Sequence, residues 1–283
     1  MIASPSGEAL NVNGLAVLRR TRANLDPALP TVLFVHGAID RGASFSRVMR
    51  RLAQFDLIAL DRRGYAGSLS AGVNTTLEGH VDDLLEVIEF SGSKSVVVIG
   101  HSLGGTLALG LAARADSRVK ALGVFEAPMP NLDNSYASVG GGAIERGEEQ
   151  GPAAAAEFFY RLMVGEATWA RLRERDRDAR RAEGPALLAE LRSLRTPSAA
   201  IDPRGISLPV LLGVGSESHR SMRTGSALLH AALPRSEMVE IRGAGHGAHL
   251  SHADEFARYV QSCVAFAGLA SAKTVEVSTN KQR

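Results

Sequence analysis

The sequence has little that would tie the chain to a special environment. One cysteine among 283 residues, Cys263, leaves no partner for an intramolecular disulfide, so no oxidising compartment is indicated. Cys263 lies in an apolar helical stretch and reads as an inert core residue. Charge of one sign is missing as well. The formal net charge is +2, whereas a nucleic-acid partner usually asks for a marked basic excess on one face. Lysine is scarce: Lys94, Lys120, Lys273 and Lys281 are its only occurrences, and arginine supplies the other basic residues. With Ala and Gly abundant, that choice reads as compositional bias rather than a functional signal. No run approaches the roughly 18 consecutive apolar residues of a membrane span, so no membrane insertion is expected. The opening MIASPSGEAL carries neither the basic nor the apolar segment of a secretory leader. The expectation is a soluble, cytoplasmic protein, long enough for one large core with room for an inserted subdomain.

What the sequence does contain is concentrated in Ser95–Gly105, SVVVIGHSLGG. Val96–Ile99 is an apolar, β-branched run, as in a strand buried on both faces of a parallel sheet. Gly100-His101-Ser102-Leu103-Gly104 fits G-x-S-x-G, and Leu103–Ala113 continues as an apolar, alanine-rich helix. Strand, tight turn and helix are the context in which this motif lifts a serine hydroxyl clear of the backbone. A glycine two residues either side of Ser102 relieves crowding in such a turn.

On these residues the chain resembles the α/β-hydrolase family, in which GHSLGG is a common nucleophile elbow. The resemblance covers roughly residues 30–128 and 206–267. It implies an α/β fold, with an eight-stranded, mostly parallel sheet, helices on both faces and an inserted helical cap. The implied layout is a core of residues 1–128 and 206–267 with a cap or lid over 129–205; residues 268–283, polar and unpatterned, read as a disordered tail.

Taken in order, Asn13-Gly14 between short apolar runs predicts a hairpin. Thr31–Val35 reads as a strand ending in His36-Gly37-Ala38. In the family such a His-Gly loop supplies one oxyanion-hole amide, here Ala38; the amide after the nucleophile, Leu103, supplies the other. His36 itself reads as a loop-shaping residue. Ala43–Gln54 predicts a short helix and Leu57–Leu60 a strand. Asp61–Ser68 resembles the D-x-R-G-x-G-x-S loop of these hydrolases, with Asp61 expected to pair with a nearby arginine. Thr76–Ser91 is apolar at three- and four-residue spacings, a helix capped by Thr75 or Thr76. Val119–Phe125 predicts a strand ending in Glu126-Ala127-Pro128.

From Met129 to Gly205 the strand–helix alternation stops. Asn131–Gly142, with three consecutive glycines, reads as a loop; helices are expected around Ala153–Val164, Thr168–Glu183 and Pro185–Arg195. Arg171–Arg181 mixes charges and reads as a solvated helix face with local ion pairs. Phe158, Phe159, Tyr160, Leu162, Met163 and Trp169 are open to two roles, lining a pocket or packing the cap. Strands at Pro209–Gly215 and Glu237–Ile241 and helices at Met222–Leu233 and His252–Phe266 complete the pattern.

The resemblance assigns Ser102 as nucleophile and His246, in Gly243-Ala244-Gly245-His246, as general base, with His249 structural. The acid is where this chain departs from the commoner family pattern. Most members carry Asp in G-x-x-D after the seventh strand, and there this sequence has Ser218. A second group carries the acid after the sixth strand, which points to Glu126; Glu217 is the alternative, and Asp133 a more distant one. A serine assisted by histidine and a carboxylate performs acyl transfer without cofactor or metal. The implied function is hydrolysis of a small-molecule carboxylic ester through an acyl-serine. Carbon–carbon bond hydrolysis and cofactor-free perhydrolysis are alternatives on the same fold, and a non-catalytic ligand-binding module is an alternative of another class. Dehalogenases and epoxide hydrolases of this fold attack with Asp, so Ser102 argues against both. Physiological substrate, acyl length and oligomeric state are not legible.

Overall fold

Asn13 and Gly14 both take positive φ, 50° and 89°, the conformation that a two-residue hairpin turn demands. They join β1 (Glu8–Val12) to β2 (Leu15–Arg20) in an antiparallel ladder. The computed structural model describes residues 7–21, 25–132, 137–196 and 201–269; Asp133 and the expected tail from residue 270 onward lie outside them.

The chain continues through β3 (Thr31–Val35), a 3-10 turn over Gly42–Phe45, α1 (Ser46–Met49) and β4 (Asp56–Leu60). Next come α2 (Leu77–Ser91), β5 (Val96–His101), α3 (Leu103–Ala113) and β6 (Val119–Phe125). Thr76 caps α2, its hydroxyl accepting from the Gly79 N–H at 3.2 Å. The inserted segment supplies α4 (Ala137–Gln150), α5 (Pro152–Val164), α6 (Glu166–Arg171), α7 (Glu174–Arg181) and α8 (Gly184–Ser193). β7 (Val210–Gly215), α9 (Arg220–Ala232), β8 (Ser236–Ile241), α10 (Ala248–Ser251) and α11 (Ala253–Phe266) close the chain.

The eight strands form one sheet in the order β1-β2-β4-β3-β5-β6-β7-β8, antiparallel at the β1–β2 and β2–β4 pairs and parallel elsewhere. β3, β5 and β7 are buried along their whole length, which is why they read as continuous apolar runs. Alternate residues feed two cores. Leu33, Val35 and Val98 pack with Leu84, Leu107 and Leu229 of α2, α3 and α9. Val32, Phe34, Val97 and Ile99 pack with Val48 of α1 and Phe256 and Val260 of α11. Cys263 is buried in the second core, where burial pushes its thiol up to about 12. Among the described residues no helix is long and apolar enough to cross a membrane.

Three expectations need correction. Gly140–Gly142 lie inside α4 and not in a loop. Two glycines of this helix serve close packing: a Cβ at Gly147 would stand 2.8 Å from Leu188, and one at Gly142 3.2 Å from Phe158. Tertiary approach has overridden helix propensity. The expected helix over Thr168–Glu183 is broken between Arg171 and Glu174, giving α6 and α7. The third concerns Asp61, which is given no arginine partner among the described residues. Its carboxylate accepts the backbone N–H groups of Gly42 (2.8 Å) and Gly67 (2.9 Å), while Arg63 pairs with Asp83 and Arg62 with Glu190.

The inserted helices have an apolar cluster of their own, in which Ala143, Ala155, Phe159 and Leu187 meet Ile39 and Tyr65 of the core loops. On α7 the solvated face carries Arg173–Asp176 and Arg177–Glu174 pairs, but Arg180 turns inward and is buried against Glu183.

Candidate active site

His101 and Phe125 are paired neighbours at the ends of β5 and β6, so Ser102 and Glu126 leave the sheet side by side. Both then adopt positive φ, 53° and 49°. Such strained non-glycine backbone persists only where its surroundings over-determine it. At Ser102 the surroundings are visible. Its N–H donates to the Phe125 carbonyl at 2.8 Å, and α3 starts so close to β3 that a Cβ on Gly104 would lie 2.1 Å from the Val35 oxygen. The His36-Gly37-Ala38 loop presses on the same turn, since a Cβ on Gly37 would stand 2.9 Å from that of Ser102.

Glu126 is 1% exposed and both its oxygens are engaged. Oε1 accepts the Gly215 N–H at 2.8 Å, and Oε2 meets Nδ1 of His246 at 2.6 Å. A carboxylate can only accept, so Nδ1 of His246 carries the proton and a neutral ring keeps its lone pair on Nε2. His246 stands on the loop between β8 and α10, with its backbone oxygen accepting from Nε2 of buried His101 at 2.8 Å. Nothing in the sequence pattern singles out His101. It is one of the variable positions of G-x-S-x-G, and its only signal was adjacency to Ser102.

Ser102, Leu103, Ala38 and His246 line one cavity of about 770 Å³. Its wall is mainly apolar, with Met129, Phe159, Leu162, Met163, Leu191 and Met222 among the lining side chains. The aromatic stretch therefore divides its labour. Phe159, Leu162 and Met163 reach the cavity, while Trp169 is buried against Tyr160 with ring centroids 5.6 Å apart. Glu217 is exposed at the cavity, and Ser218 is buried beside it.

Two buried clusters flank the site. In the first, Oδ2 of Asp40 lies 3.4 Å from Nε2 of His249, whose ring is 4.3 Å from that of His101. Asp40, His101 and His249 place one donor atom each within 4.8 Å of one another. Burial alone would raise the Asp40 carboxyl, but the neighbouring His249 outweighs it and holds Asp40 well below the usual range. In the second cluster, Nε2 of His36 accepts the Arg62 N–H at 2.9 Å. Burial, then the Arg62 charge, pushes His36 down to about 3, while burial with the neighbouring His249 and His246 lowers His101 as well.

These shifts predict how stability depends on pH. An unfolded His36 takes its proton near 6.5 and the folded one only near 3. Across that window the unfolded chain binds more protons, so stability is lost as pH falls through it. Urea midpoints should decline steadily from about pH 7 to about pH 4, with a shallower slope in His36→Asn. A flat profile in the parent protein would contradict a buried neutral His36.

A mostly parallel α/β sheet carrying a strained serine turn, an acid and a histidine at the C-terminal ends of its strands defines the class of protein. A sequence model described as the alpha/beta hydrolase family matches residues 32–259, and the chain belongs to that family. Lipase LipV of Mycobacterium tuberculosis is 34% identical over 104 residues, covering 37% of this chain and 39% of the lipase. Epoxide hydrolase 3 of Xenopus tropicalis is 30% identical over 117 residues, 40% of this chain and 32% of that protein. The chain thus spans about a third to two-fifths of the length of these curated relatives. A solved thermophilic esterase from Thermogutta terrifontis matches with a TM-score of 0.68 at 20% identity, covering 89% of this chain and 93% of the esterase. At that identity the likeness is one of fold.

Proposed function

We propose that this chain is a serine hydrolase that cleaves small-molecule carboxylic esters through an acyl-serine intermediate. The observation that carries the reading is the Glu126–His246 hydrogen bond of 2.6 Å beside a strained serine turn that opens on an apolar cavity. In this reading His246 Nε2 takes the Ser102 proton as Oγ attacks the ester carbonyl, then returns it to the departing alcohol. Glu126 holds the ring in that tautomer and stabilises the imidazolium. The N–H groups of Ala38 and Leu103 receive the tetrahedral oxyanion. Water then repeats the sequence on the acyl-serine. A serine at the elbow separates this chain from the Asp-dependent chemistry expected of an epoxide hydrolase.

Residues 129–205 act as the cap over a core of residues 1–128 and 206–267, and set acyl selectivity through Phe159, Leu162, Met163 and Leu191. Aryl esters of increasing acyl length test this. Each buried CH₂ is worth about 0.8 kcal/mol, so kcat/KM should rise about fourfold per added methylene until the cavity is filled. Absence of turnover across the whole panel would overturn the reading.

A further inference from the structure

The buried pair Arg62–Glu190 joins the inserted segment to the loop that faces Ser102. Arg62, on the loop after β4, is 1% exposed, as is Glu190 of α8. Nε of Arg62 donates to the His36 carbonyl and Nη2 to the Gly37 carbonyl, each at 2.9 Å. The remaining face of the guanidinium is engaged by both carboxylate oxygens of Glu190. Oε2 of Glu190 also accepts from the Tyr65 hydroxyl at 2.6 Å, and Oε1 lies 3.0 Å from Nε2 of His80. Burial would raise the Glu190 carboxyl, but Arg62 and His80 outweigh it and hold it at about 2.

We infer that Glu190 is a positioning residue for the oxyanion loop, acting through Arg62 to hold the His36–Gly37 backbone against Ser102. A guanidinium buried this fully stays in place only with a compensating anion. Without one, Arg62 turns toward water and withdraws its donors from the carbonyls of His36 and Gly37. The next residue is Ala38, whose N–H must stand at a fixed height for an oxyanion. The inserted segment grips the loop on the far side too: Nη1 of Arg180 reaches the Ile39 carbonyl at 3.4 Å while pairing with Glu183. Ile39 has φ 50°, so its conformation depends on such grips. The helices that cover the cavity therefore also brace the catalytic scaffold.

The inference rests on the proposed acyl transfer, and its test separates the two. Glu190→Gln keeps the side chain's shape but removes the charge that balances Arg62 and turns one accepting oxygen into an NH₂ that faces donors of Arg62 and of Tyr65 or His80. Loss of one oxyanion donor costs roughly 10²–10³ in kcat, and displacement of one should cost roughly tenfold to a hundredfold. KM should stay within about threefold, because ground-state binding does not use the hole. The affinity of benzeneboronic acid, which forms a tetrahedral serine adduct, should fall by the same factor as kcat/KM. Arg192→Ala, on the exposed face of α8, controls for loosening of that helix and should leave both quantities unchanged. A lowered Tm in Glu190→Gln with kcat and boronate affinity within about twofold of the parent would reduce Glu190 to an attachment point and overturn the inference. If that variant does not fold, Tyr65→Phe decides; it removes one donor to Glu190 and should weaken boronate binding several-fold at unchanged KM, and an unchanged affinity overturns the inference. A parent protein that forms no adduct at Ser102 removes the acyl-transfer reading, and the inference with it.

Discussion

Ser102→Ala should abolish ester hydrolysis, lowering kcat by at least about 10⁴-fold, while the protein stays folded. The substitution removes one oxygen from a turn whose geometry is imposed from outside. The Ser102 N–H remains bonded to Phe125, and the approach of Gly104 to β3 is untouched. Circular dichroism and Tm should therefore change little. A fluorophosphonate probe should add one label to the parent protein, at Ser102, and none to the variant. Two outcomes would sink the assignment: a label on another serine, or turnover that survives the substitution.

The second large effect is expected at the acid. Glu126→Gln should cost roughly 10⁴-fold in kcat. A glutamine can still accept from the Gly215 N–H with its oxygen, which then turns its NH₂ toward Nδ1 of His246. An amide that donates there forces the ring proton onto Nε2, and a protonated Nε2 cannot take the serine proton. Glu217→Gln, by contrast, alters an exposed side chain at the cavity that makes no hydrogen bond to His246, and should cost less than about tenfold. Steady-state rates on one aryl ester across the parent and the two variants, with folding checked in each, make the measurement. The reverse ranking would move the acid to Glu217. Near-full activity in both would leave His246 without a working carboxylate.

Much of the fold follows from short-range pattern. β3, β5 and β7 are sheet interiors buried on both faces, so their sequences are unbroken aliphatic runs; α2 has one buried face, so its apolar residues recur at helical spacing. The Asn13-Gly14 turn and the elbow around Ser102 are legible for a related reason. Each needs particular residues at adjacent positions, so the constraint is local and is written locally.

Other features are decided by pairs far apart in the chain. The acid that meets His246 is separated from it by 120 positions, and only the parallel register of β5, β6 and β7 brings Glu126 to both His246 and the Gly215 amide. Glu217 is nearer in sequence, yet the loop after β7 leaves it exposed. Gly140–Gly142 suggested a loop because propensity counts the backbone alone, whereas in the packed helix Phe158 fills the space a side chain on Gly142 would take and Leu188 that of one on Gly147. Arg62 and Glu190 carry no mutual signal, being 128 positions apart. Buried charge needs a partner wherever the fold can supply one, and that supply is a property of the folded surface, not of the neighbouring residues. Sequence alone thus determined the strands, most helices and the residue types at the strand ends. Tertiary structure decided which of those residues meet, because burial and hydrogen bonding are settled between elements that only the packed sheet brings together.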